Sequence, residues 1–162
     1  MLASAIVAGV VAGLVFGGRF SRLADLRVIW WPLLVVAIAA RLVAPAFGGA
    51  ALALFLGGFA AIVAVAVRNI ALPGMTLIAS GAALNLLVIA LNGAMPVDPA
   101  AVAAAGALMP TDRLHTPLTE HTRLGLFSDV IPVPMVRNVY SIGDVLLAAG
   151  GFWLPFSWLR RR

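Results

Sequence analysis

Apolar residues run along this chain in five blocks, and the polar residues gather mostly between them. The blocks are Leu2–Gly18, Val28–Phe47, Ala50–Val67, Met75–Leu91 and Ser141–Leu159. Each has roughly the 17–20 residues that carry a helix across about 30 Å of hydrocarbon at about 1.5 Å per residue. The pattern predicts an all-α, polytopic membrane helix bundle of about five transmembrane helices. It forms a single membrane domain over residues 1–162, with a long extracytoplasmic loop, Asn92–Tyr140, before the last helix.

Finer features fit these spans. Gly9, Gly13 and Gly17 recur every four residues, leaving a smooth stripe along one face of the first helix. Such stripes let helices approach closely in lipid. Trp30 and Trp31 open the second span as an interfacial belt does, and Pro32 falls in its first turn, where no helix hydrogen bond is lost. Pro155 is expected to kink or end the last helix. No basic region precedes the first span and no A-x-A-type site follows it, so a removable signal peptide is not expected.

Composition narrows the class. With 63% hydrophobic and only 10% charged residues, a soluble domain would lack the charge to cover its surface. The pI near 11.6 comes from arginines at helix ends rather than from a patch, so no nucleic-acid partner is expected. The chain has no cysteine, which excludes disulfides and thiolate chemistry. All eleven basic residues are Arg and Ala is abundant, a composition that fits a GC-rich bacterial source. Arg19, Arg22 and Arg27 follow the first span, Arg68 the third, and Arg160–Arg162 the last. The positive-inside rule then puts the C-terminus in the cytoplasm, and the N-terminus and the Asn92–Tyr140 loop outside a bacterial inner membrane.

Polar side chains inside the spans carry the functional question, because burying them in lipid is costly. Arg41, Asn85, Asn92 and Asp144 all fall in the outer half of the bilayer, and Asp129 lies in the loop just above. Two readings follow. Arg41 snorkels outward to pair with Asp144 while the asparagines bridge helices; or the group lines an outward-facing polar cavity that binds something.

Within the loop, Asp98 and Pro99 predict a short helix by N-cap and first-turn chemistry. A second helical turn or two is expected from Thr116 and Pro117. Asp112, His115, Glu120 and His121 are polar neighbours, but the histidines are six apart and lack metal-ligand spacing, so no metal is expected. The run "VIPVP" must be extended, because each proline drives its predecessor out of the α region, and it is expected to lie as a lid over the helix ends.

Two stretches, "LNGAMPV" (Leu91–Val97) and "SDVIPVP…YSIGDVLLAAG" (Ser128–Gly150), resemble an uncharacterised family of small multi-pass bacterial membrane proteins. That resemblance implies the order of spans and the long outer loop, and no chemistry. The C-terminal half is also faintly similar to signal peptidase II, the lipoprotein-processing aspartic peptidase. "GAALNLL", "GLFSDVI" and "NVYSIGDV" follow the order of its motifs, which implies Asp129 and Asp144 as a catalytic pair. In such a pair two carboxylates share one proton and the ionised one activates water.

The sequence therefore predicts a membrane protein of non-enzymatic character with no cofactor. Its expected partners are the bilayer and a lipid-like ligand or another membrane protein, bound at Arg41, Asn85, Asn92, Asp129 and Asp144. The alternative is an aspartic membrane peptidase using Asp129 and Asp144.

Overall fold

A computed structural model describes residues 1–161 and is mostly helical. Its long helices are α1 (Leu2–Val15), α2 (Trp31–Val43), α3 (Ala51–Arg68), α4 (Met75–Asn92) and α6 (Ile142–Leu159), with the short α5 (Pro99–Ala104) in the loop. Three stretches are long and apolar enough to cross a membrane: Trp31–Arg68, Met75–Asn92 and Ile142–Leu159. The first folds back on itself. Phe47 and Gly48 leave helical geometry between α2 and α3, and the two halves pack against each other. Gly58 makes this approach possible, since a Cβ there would lie 2.6 Å from Arg41 Cγ and 2.9 Å from the Ala37 carbonyl oxygen.

Helix α1 is shorter than its apolar block. Its 14 residues span about 21 Å at about 1.5 Å each, less than a full hydrocarbon core. Gly9 and Gly13 face α6, where a Cβ would collide with the Phe152 carbonyl or the Leu159 side chain. Gly17 does not belong to this stripe. It has left the helix with φ +85 and turns the chain toward Arg19. The helix α2 begins at Trp31 rather than Val28, because Trp30 adopts a left-handed conformation and Pro32 occupies the first turn. Helix α6 runs through Pro155 to Leu159, so that proline does not end it.

Packing follows a row in which α1 lies on α6, α6 on α4, α4 on α3 and α3 on α2. Helix α1 runs parallel to α6, its Gly9 beside Phe152 and its Gly13 beside Phe156 and Leu159, whereas α4 runs antiparallel to α6, so the start of α1, the end of α2 and the start of α6 face one end. Leu2 of α1 and Arg41 of α2, from the two extremes of the row, line one cavity there, so the row curls. At the opposite end, Asn69 fastens α3 to the segment before α2. Its side chain accepts from Ile29 N at 2.7 Å and donates to Ile29 O at 2.8 Å. Arg22 donates to Leu159 O at 2.8 Å, and Trp158 Nε1 donates back to Arg22 O at 2.9 Å.

The Asn92–Tyr140 segment folds onto the first of these ends. Asp98 caps α5 through a 2.9 Å bond from Ala100 N, as its sequence predicts. Strands β1 (Met95–Val97) and β2 (His115–Pro117) pair in parallel, so Thr116 and Pro117 are extended, contrary to the helical turn expected there. The alternative to a local helix is a ladder with residues some twenty positions earlier, which local pattern does not reveal. The "VIPVP" run is extended, forming β3 (Ile131–Val133) against antiparallel β4 (Asn138–Tyr140).

Candidate functional site

The site grows from the start of α6. Ser141 is the N-cap, and its hydroxyl accepts from Asp144 N at 3.0 Å while Asp144 Oδ2 accepts from Ser141 N at 3.3 Å. This reciprocal box satisfies backbone donors that a helix start otherwise leaves open. It explains an acid at the mouth of an apolar helix: Asp144 closes the cap. The Ser-x-x-Asp spacing before an apolar run was the signal for Ser141, a residue that reasoning from depth alone passes over.

Asn85 of α4 completes the arrangement. It is 1% exposed, donates from Nδ2 to Asp144 Oδ1 at 2.9 Å and accepts from Ser141 Oγ at 2.8 Å. The two helices come this close because Gly81 and Gly143 meet at their crossing. A Cβ on Gly143 would overlap Asn85 Oδ1, and one on Gly81 would overlap the Gly143 carbonyl oxygen.

Asp129 arrives from the loop. Its N–H donates to Pro96 O and its carbonyl accepts from Asp98 N, both at 2.9 Å, so its backbone is fixed beside β1. It is 8% exposed, and Oδ1 has no hydrogen-bond partner among the described residues. Burial, reinforced by the charge of Asp144, pushes its carboxyl up to about 8. Asp129 is therefore largely protonated at neutral pH.

Arg41 of α2 reaches the same space without an acid partner. The described ion pairs are His115–Asp112 and His121–Glu120, and the expected Arg41–Asp144 pair is not among them. Instead its guanidinium lies 3.8 Å from the Phe59 ring centroid and 5.1 Å from that of Phe55. Cation–π contact of this kind holds a charge where no carboxylate does. Arg41 Nε is buried with no hydrogen-bond partner among the described residues.

Arg41, Asp129 and Asp144 thus line one cavity of about 430 Å³. Its apolar walls include Leu2, Val97, Val102 and Leu147, and its polar rim includes Asn138, Tyr140, Asp112 and His115. Burial works to raise the Asp112 carboxyl, but hydrogen bonds from His115 and from the Leu114 backbone outweigh it and hold the carboxyl below its ordinary value. Asn85 stands behind the cavity and positions Asp144. Asn92 is not part of it. It accepts from Arg123 N and donates to Arg123 O, both at 2.9 Å, which clamps the loop to the end of α4.

Fold and site together define a helical protein with three bilayer-length apolar stretches and a polar cavity at one end. The profile of the Family of unknown function (DUF5317) matches residues 25–156, and the chain belongs to that family. No curated protein and no solved structure matches the chain. The likeness to signal peptidase II therefore rests on its three short motifs alone.

Proposed function

We propose that this is a five-span bacterial inner-membrane protein that binds a lipid-like ligand in the Arg41–Asp129–Asp144 cavity. The single observation that carries this reading is a cavity walled by apolar side chains and lined by Arg41, Asp129 and Asp144, which form no ion pair with one another. A ligand with a polar head and an apolar body suits both parts. Alternation of the five helices supports five crossings. Arg19, Arg22, Arg27, Arg68, Arg160 and Arg161 at the end away from the cavity support a cytoplasmic C-terminus. The cavity then opens at the outer leaflet, with Arg41, Asp129 and Asp144 facing the ligand and Asn85 positioning Asp144. The reading is tested by melting the detergent-solubilised protein with and without an added short-chain phospholipid. Stabilisation that fails in Arg41→Gln supports it, and an unchanged melting temperature in the parent contradicts it.

A second reading follows from the two acids. Asp129, raised to about 8, supplies a protonated carboxyl in the cavity that Asp144 also lines. A carboxyl that holds its proton beside a second acid is the pairing that aspartic peptidase chemistry uses. The binding reading stands first because Asp144 is already engaged by Asn85 and by its own helix cap. Hydrolysis of a short membrane peptide, lost separately in Asp129→Asn and Asp144→Asn, would reverse the order.

A further inference from the structure

The unsatisfied groups of the cavity differ in sign, and this specifies the ligand more narrowly. Resting on the lipid-binding reading, we propose that the cavity selects a zwitterionic amphiphile whose head carries a phosphate and a primary ammonium. The phosphate matches Arg41. Its Nε is buried without an acceptor, and no carboxylate among the described residues pairs with it, so the donor is open to an incoming oxyanion. The ammonium matches Asp129. Asp129 is more than nine-tenths buried, has an unpartnered Oδ1 and lines the cavity alongside Asp144.

Two features exclude simpler heads. An anion alone would satisfy Arg41 and leave Asp129 Oδ1 without a donor. A quaternary ammonium has no N–H to donate to Asp129 Oδ1. The cavity lining offers it one aromatic side chain, Tyr140, rather than the several faces of an aromatic cage. A primary ammonium offers three donors in a compact group, enough for both acids. The apolar wall of Leu2, Val102 and Leu147 then receives the start of the acyl chains, which places the source of this chemistry in a lipid rather than in a free zwitterion.

Calorimetric titration of the intact protein in detergent tests this with four probes. They are dioctanoyl phosphatidylethanolamine, the choline and glycerol lipids of the same chains, and water-soluble phosphoethanolamine. The ethanolamine lipid is expected to bind at least fivefold more tightly than each of the others. In Asp129→Asn its advantage over the choline lipid shrinks, whereas in Arg41→Gln all three lipids weaken together. Equal binding of the three lipids overturns the headgroup assignment and leaves the lipid-binding reading standing. Phosphoethanolamine binding as tightly as its lipid overturns the lipid source. No binding of any probe overturns both the inference and the reading beneath it. The comparison among heads is made on the parent chain, so it holds even if a variant fails to fold.

Discussion

Asn85 and Asp144 are joined side chain to side chain across the α4–α6 contact, at 2.9 Å, and each is tied to Ser141 as well. Three polar residues thereby satisfy one another inside an apolar bundle. Removing one leaves buried groups unpaired, which costs about 1–3 kcal/mol. Asn85→Leu should therefore destabilise the protein by about 1–3 kcal/mol in a reversible unfolding titration. A change under about 0.5 kcal/mol, the range of ordinary surface substitutions, would show that the network contributes little.

The glycines at the same crossing make a sharper contrast. Gly143→Ala places a methyl on Asn85 Oδ1 and should break the Asn85–Asp144 bond by driving α4 and α6 apart. Gly57→Ala, on an exposed face of α3 with nothing within 4 Å of the new methyl, should be neutral or stabilising by up to about 1 kcal/mol. Thermal melts of the two variants should shift in opposite directions or differ strongly. Equal shifts would contradict the packing described.

Asp129 gives the fold a pH signature. The unfolded chain releases this proton near the ordinary carboxylate value, whereas the folded chain holds it up to about 8. Between these limits the folded state binds more protons, so stability falls as pH rises, by up to about 1.4 kcal/mol per unit. Arg41, Asp112, His115, Tyr140 and Asp144 line the same cavity and are common to parent and variant. Asp129→Asn should thus flatten the stability curve between pH 5 and about 8. A parent curve without that slope, or a slope that survives in the variant, would contradict the burial of this acid.

The span pattern was legible because hydropathy and helix rise act locally: Met75–Leu91 and Ser141–Leu159 nearly coincide with α4 and α6. Gly9 and Gly13 announced a close helix neighbour, but a small-residue face does not say which helix fills it, and it is α6, at the far end of the chain. Asp129 and Asp144 line one cavity, a convergence that depth alone leaves open. Asn92 is on the same face as Asn85 by spacing, yet it sits at the last helical residue, where the Arg123 backbone captures it. Strand β2 and the Asn69–Ile29 clasp depend on partners distant in sequence, and no local pattern encodes them.

Arg41 illustrates the same limit and yields a test. Depth and charge pointed to Asp144 as its partner, while the fold supplies Phe59 from the adjoining helix. Combining Arg41→Gln with Phe59→Leu should be non-additive by about 0.5–2 kcal/mol, and more so than combining it with Asp144→Asn, since Asp144 lines the same cavity without pairing with Arg41. Strong coupling to Asp144 with none to Phe59 would reverse this assignment.

The central claim is that the Arg41–Asp129–Asp144 cavity holds a lipid. Native mass spectrometry of the protein released from mild detergent tests it most directly, by counting lipid molecules that survive extraction. The parent should retain one tightly held phospholipid per chain, and the Arg41→Gln, Asp129→Asn double variant should lose it while remaining folded. Equal retention in parent and double variant, or a parent stripped bare under conditions that keep it folded, would contradict the account.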